Sequence, residues 1–134
     1  MEPKEHGPGR LLIGTSGYSY ADWEGVLYPP GTPKDRYLEL YSCEFPVVEL
    51  NFSYYAMPQA RTLERMVRVT PQGFLFSIKA HQSLTHTIGE EFPDAARRFR
   101  QAILPLAEAG RLAAVLFQFP YRFHYLSLIH ISEP

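Results

Sequence analysis

Four short apolar runs, rich in β-branched and aromatic residues and separated by segments with helical spacing, constrain this chain more than any other feature. They are Arg10 to Thr15 (RLLIGT), Pro46 to Phe52 (PVVELNF), Phe74 to Lys79 (FLFSIK) and Leu112 to Phe119 (LAAVLFQF). Each has the length of a strand, and glycine or proline punctuates the first at Gly14 and Gly17 and the last at Pro120. Thr32 reads as a helix N-cap, with Pro33 at the first helical position and Asp35 completing a capping box. Tyr37, Leu38, Tyr41 and Phe45 then follow at helical spacing, which predicts a helix over 33–44. Pro58 opens a second helix with the stripe Leu63, Met66, Val67 and Thr70, closed by Pro71-Gln72-Gly73. Pro93 and Asp94 open a third, carrying Ala95, Phe99, Ala102, Ile103 and Leu106; Pro105 is expected to kink or end it and Gly110 to cap it. This alternation predicts an α/β fold of βαβ units with a parallel sheet and right-handed connections. A barrel and an open doubly wound sheet both satisfy it.

The composition fits a globular chain and excludes several partners. At 46% hydrophobic and 20% charged, the chain is too apolar to be disordered. A net charge of -1 supplies no long-range field for nucleic acid or an anionic membrane. No stretch approaches the roughly 20 apolar residues of a membrane span, and residues 1–9 lack the apolar run of a signal peptide. Cys43 has no second cysteine to pair with and is expected on the buried side of the first helix. The expectation is a cytoplasmic protein with a short disordered tail at residues 1–9.

Each apolar run turns polar at its C-terminal end: Gly14, Thr15, Ser16 and Gly17, then Glu49 and Asn51, then Ser77 and Lys79, then Gln118. Parallel α/β folds build their sites at that edge, where the βα loops gather. Period-2 spacing puts Glu49 and Asn51 on one face of the second strand, with Val48, Leu50 and Phe52 on the other. In the third, Leu75, Ser77 and Lys79 share one face and Phe74, Phe76 and Ile78 the other. Glu49 and Lys79 are charges inside apolar runs, so they must be paired, hydrated or both. One reading is a structural ion pair between neighbouring strands. Another has Lys79 holding an anionic substrate group and Glu49 moving a proton.

The loop after the third run holds His81, Thr85 and His86. The five-residue spacing of the histidines lacks the helical i, i+4 geometry of a zincin motif, so hydrogen-bonding or proton-moving roles are preferred to metal ligation. The Gly14-Thr15-Ser16-Gly17 turn lacks both the dinucleotide fingerprint and a P-loop lysine, and the sequence names no cofactor. Ser16 and Ser53 have no nucleophile-elbow context. Tyr18, Tyr20, Trp23 and Tyr28, then Phe52, Tyr54 and Tyr55, and finally Phe119, Tyr121 and Phe123 crowd the loops, as packing or as a stacking surface for a sugar or base.

At these residues the chain resembles the domain-of-unknown-function 72, or YecE-like, family. The matching segments are IGTSGYSYADWEGVLYP (Ile13 to Pro29), VVELNFSYYAMP (Val47 to Pro58), TPQGFLFSIKAHQSLTH (Thr70 to His86) and LFQFPYRFHY (Leu116 to Tyr125). Tyr18 stands where the family more often has tryptophan. The resemblance implies a TIM-barrel-like fold and no settled chemistry. Its recurrent site-like positions fall on Gly14, Thr15, Ser16, Gly17, Tyr20, Trp23, Glu49, Asn51, Tyr55, Lys79, Thr85, His86, Gln118 and Pro120. In the resulting scheme Lys79 holds an anion, Glu49 or His86 moves a proton, and Asn51 and Gln118 orient a small polar or phosphorylated substrate. A non-catalytic module for a nucleotide, nucleic acid or sugar and a metal-assisted hydrolase remain as alternatives.

A (β/α) barrel has eight strands in about 250 residues. The four runs here therefore imply the N-terminal half of one, over residues 10–125. Leu126 to Pro134 (LSLIHISEP) does not continue the family pattern and resembles a translated sequencing adapter, so residues 126–134 are expected to be an artefactual tail and His130 stays out of the site. A half-barrel would leave its first and fourth strands unpaired, an invitation to self-association.

Overall fold

A computed structural model describes residues 9–121. The expectations for residues 1–8 and for 126–134, and the loop aromatic Phe123, lie outside the described residues. Four strands, β1 (Thr15–Ser16), β2 (Val47–Leu50), β3 (Leu75–Lys79) and β4 (Leu112–Leu116), form one parallel sheet in the order β1-β2-β3-β4. Four helices connect them: α1 (Tyr37–Glu44), α2 (Phe52–Tyr55), α3 (Ala60–Arg68) and α4 (Phe92–Glu108). Doubly wound sheets reverse their strand order to put helices on both faces. Here the order never reverses, which is the winding of a barrel.

One face of this sheet is closed and the other is open. Val48 and Leu50 of β2 and Phe76 and Ile78 of β3 are buried in one cluster with Leu63 and Met66 of α3 and Ala95, Phe99, Ile103 and Leu106 of α4. The alternate residues Val47, Glu49, Leu75, Ser77 and Lys79 are only half-buried. Period-2 alternation thus assigns hydrophobic residues to the helix side, where burying a Val, Leu, Ile or Phe side chain contributes about 1.5–3 kcal/mol each. Arg111 is the polar exception beneath that face. It is buried, its Nε donates to the Phe74 carbonyl and its Nη2 to Thr70 Oγ1, and burial lowers its pKa. It fastens the turn after α3 to the start of β4.

Several local expectations give way. The first run forms only the two-residue β1, and Leu11 and Ile13 are 85% and 67% exposed, because among the described residues β1 has a neighbouring strand on one side only. Thr32 does not cap a helix: its hydroxyl donates to the Pro29 carbonyl, and a 3-10 turn at Lys34–Arg36 leads into α1. Cys43 is exposed, since α1 buries Tyr37, Leu38 and Tyr41 and a residue two places after Tyr41 lies about 200° around the helix. Phe52 leaves the strand for the single turn of α2. Pro105 does not end α4, which runs on to Glu108 before Gly110 turns with φ +69°. A proline in the last turn removes one hydrogen bond where the ladder is already ending. Among the described residues no helix is long and apolar enough to cross a membrane.

Candidate functional site at the strand ends

The end of β1 is built to hold two strands together. A Cβ on Gly14 would lie 2.0 Å from the Val47 carbonyl oxygen, so only glycine allows this approach of β1 to β2. The Thr15 backbone N–H donates to the Tyr41 hydroxyl (2.8 Å), which donates onward to the Val47 carbonyl (2.9 Å). Tyr41 is fully buried, so this hydroxyl links the strands from beneath. Thr15 Oγ1 donates to the Gly17 carbonyl (2.6 Å), and Gly17, with φ +80°, donates its N–H to the Glu49 carbonyl (2.8 Å). The Tyr20 hydroxyl donates to the Ser16 carbonyl. Its ring lies 4.7 Å from that of Trp23, which stacks parallel to Tyr41 at 6.4 Å. Gly14, Thr15, Gly17, Tyr20 and Trp23 thus shape the turn, and Ser16 Oγ accepts a hydrogen bond from Asn51 Nδ2 at 2.7 Å.

The ends of β2 and β3 are different. The parallel register sets Ser16 beside Glu49 and Glu49 beside Ser77, in a cleft of about 220 Å³ that Gly14, Thr15 and Val47 also line. Among the described residues the Glu49 carboxylate has no hydrogen-bond or ion-pair partner. The Glu49–Lys79 ion pair of the first reading is not formed; the ion pairs among the described residues are Arg36–Glu39 (3.2 Å) and Arg97–Asp94 (3.8 Å), both between partly exposed side chains three residues apart. The register is the reason, because Glu49 faces Ser77 while Lys79 sits two residues farther along and places Nζ 5.0 Å from the centre of the Tyr54 ring. Asn51 Oδ1 is buried and lacks a partner among the described residues.

Tyr54 organises the rest. The rings of His86 and Tyr55 each lie 5.0 Å from its ring and nearly perpendicular to it, and Thr85 Oγ1 lies 2.8 Å from His86 Nδ1. The fully buried Ser53 donates its hydroxyl proton to the Lys79 carbonyl, anchoring α2 against the end of β3. Sequence spacing does not single out Tyr54 among ten loop aromatics; its position one residue after Ser53, in the turn that follows β2, is what brings it under Lys79. Tyr55 is 75% exposed.

His81 and Gln118 stand apart from this cluster. His81 lines a separate groove of about 670 Å³ with Ser83, Thr87, Glu90, Asp94 and Arg98, none of which borders the Glu49 cleft. Its Nδ1 accepts from the Ser83 backbone N–H (3.1 Å) and contacts the Ser83 hydroxyl at 2.7 Å. Burial, helped by the Arg98 charge, lowers its pKa from 6.5. Gln118 is exposed, two residues past the end of β4. Of the loop aromatics, Tyr28 is buried and stacks on Tyr37 at 4.0 Å, and Tyr18 and Trp23 pack against the same core. Burial raises the hydroxyl pKa of both Tyr28 and Tyr18. Packing therefore accounts for much of the first aromatic loop.

Comparison with known proteins places this fold and sequence in a family. The sequence pattern of the family described as "Protein of unknown function DUF72" matches residues 12–130. The chain belongs to the DUF72 family. It is 39% identical over 115 residues to the UPF0759 protein YunF of Bacillus subtilis (strain 168), a match that covers 82% of this chain and 40% of that protein. The crystal structure of a DUF72 family protein (TM1631) from Thermotoga maritima MSB8 superposes with a TM-score of 0.72 at 37% identity, over 92% of this chain and 52% of that one. A DUF72 family protein (EF0366) from Enterococcus faecalis V583 shares the fold at 22% identity, with a TM-score of 0.73 over 90% of this chain and 44% of that one. The α/β, TIM-barrel-like fold is thereby established. This DUF72 chain spans about half the length of these relatives or less.

Proposed function

We propose that this DUF72 chain contributes to an enzyme site for a small polar or phosphorylated substrate at the C-terminal ends of its strands. The observation that carries the reading is the pair Glu49 and Lys79: two half-buried charges on the open face of the sheet, neither with an ion pair or hydrogen bond among the described residues. Burial without a partner is costly, so charges kept in this state favour a ligand as the partner. In this reading Lys79 holds an anionic group and Glu49 moves a proton. Asn51, whose Oδ1 is unmet among the described residues, orients the substrate, with Ser16 and Ser77 in the same cleft. His86 and Lys79 both contact the Tyr54 ring.

The exposed Tyr55 ring favours a second reading, binding without turnover through stacking on a base or sugar. Incubating the protein with a panel of phosphorylated sugars and carboxylic acids, and following product by mass spectrometry, separates the two. Turnover abolished by Glu49→Gln and a ligand affinity reduced at least tenfold by Lys79→Met support the enzyme. Unchanged turnover and affinity in both variants would remove these roles.

A further inference from the structure

We infer that Thr85 is a positioning residue whose hydroxyl holds His86 in the tautomer that carries its ring proton on Nε2, so that His86 meets a ligand as a hydrogen-bond donor. The inference rests on the strand-end site proposed above for its ligand, and on geometry alone for the tautomer.

Thr85 Oγ1 lies 2.8 Å from His86 Nδ1, and Thr85 is only 2% exposed. A buried hydroxyl must give its one proton to an acceptor, and among the described residues the acceptor within reach is Nδ1. If Nδ1 carried the ring proton, both groups would be donors, and the hydroxyl proton would be left buried and unmet. The neutral ring therefore keeps its proton on Nε2. His81, earlier in the same loop, shows the same arrangement from an independent donor. Its Nδ1 accepts a backbone N–H from Ser83, a group that can only donate, so its neutral form also carries the proton on Nε2.

The consequence lies in what His86 faces. Its ring lies 5.0 Å from that of Tyr54 and nearly perpendicular to it, and Lys79 Nζ sits over the same Tyr54 ring, so one aromatic side chain gathers a cationic donor and an imidazole. Two donors beside one ring favour an oxyanion, a carboxylate or phosphate group, as their ligand. The base function then falls to Glu49. His86 serves as a donor to the oxyanion or as a general acid, and Thr85, which the sequence places among substrate contacts, acts through His86.

The test is imidazole tautomer spectroscopy on the chain labelled with ¹⁵N-histidine, recorded above the titration range of both rings, with His86 assigned through His86→Gln. His81 is the internal reference for an unprotonated Nδ1. The expected spectrum shows His86 wholly in the Nε2–H pattern. Thr85→Val should shift its two nitrogens toward the averaged values of a tautomer mixture, and Thr85→Ser should restore the single pattern. A His86 Nδ1–H pattern in the unmodified chain, or an unchanged spectrum in a folded Thr85→Val, overturns the inference; if Thr85→Val does not fold, the unmodified and Thr85→Ser spectra decide it, both needing the single Nε2–H pattern. Titration with inorganic phosphate and, separately, acetate should then move the His86 Nε2 signal, and Lys79→Met should abolish the shift. A correct tautomer with no response to either anion removes the oxyanion site and leaves the positioning role standing.

Discussion

At the end of β1 the polar groups that stand out in the sequence find partners within the chain: Thr15 with Tyr41 and Gly17, Tyr20 with the Ser16 carbonyl, Gly17 with the Glu49 carbonyl. At the ends of β2 and β3, a few ångströms along the same edge, the Glu49 carboxylate and Asn51 Oδ1 have no partner among the described residues, and the Lys79 ammonium rests only on an aromatic ring. Both regions read alike as polar strand ends. The difference separates polarity that the fold satisfies from polarity left unmet among the described residues, and satisfied buried groups stabilise while unmet ones cost.

Substitutions should therefore separate the two regions. The largest effect on stability is expected from Gly14→Ala, whose methyl would meet the Val47 carbonyl and break the β1–β2 pairing; the urea midpoint should report a loss of about 3 kcal/mol. Tyr41→Phe removes the hydroxyl shared by Thr15 and Val47 and should cost about 2 kcal/mol in the same assay. A Tyr41→Phe variant as stable as the parent would mean that the β1 end is not held as described.

The third expectation concerns pH and belongs to neither region. His81 titrates below 6.5 in the folded chain, because burial and Arg98 disfavour its charged form. The unfolded chain then takes up a proton first as the pH falls. Stability from this group is present above 6.5 and is lost as the pH drops through the lowered folded value. Urea midpoints should fall over that window, and His81→Gln should flatten the decline. The smallest effects on stability, about 0.5 kcal/mol or less, are expected from Glu49→Gln and Lys79→Met.

Much of this was legible in the sequence, for definite physical reasons. Alternation in Val47 to Leu50 and in Phe74 to Lys79 assigned each side chain to its face, since a strand has a period of two and only one face here meets helices. The stripes of α3 and α4 were readable in the same way. The edge was not: Leu11 and Ile13 look identical whether covered or exposed, because an apolar run does not say how many neighbours its strand has. Nor was α2, a single turn too short to show a period. In the site, Glu49 and Lys79 were conspicuous as charges among apolar residues, yet whether they pair depends on a register that no local pattern encodes. Tyr54 and the Thr85–His86 contact arise from loops meeting in space, and Cys43 was misplaced because two helical turns leave its face ambiguous.

On the function proposed above, the β2 and β3 ends serve a ligand while the β1 end is structural. The most direct test is one thermal-unfolding experiment on the parent chain, Lys79→Met and Tyr41→Phe, each with and without a saturating series of inorganic phosphate. Phosphate should raise the melting temperature of the parent and of Tyr41→Phe by equal amounts, Tyr41→Phe should start lower, and Lys79→Met should start at the parent value and not respond. A Lys79→Met chain that melts as low as Tyr41→Phe, or that gains as much from phosphate as the parent, would contradict this assignment.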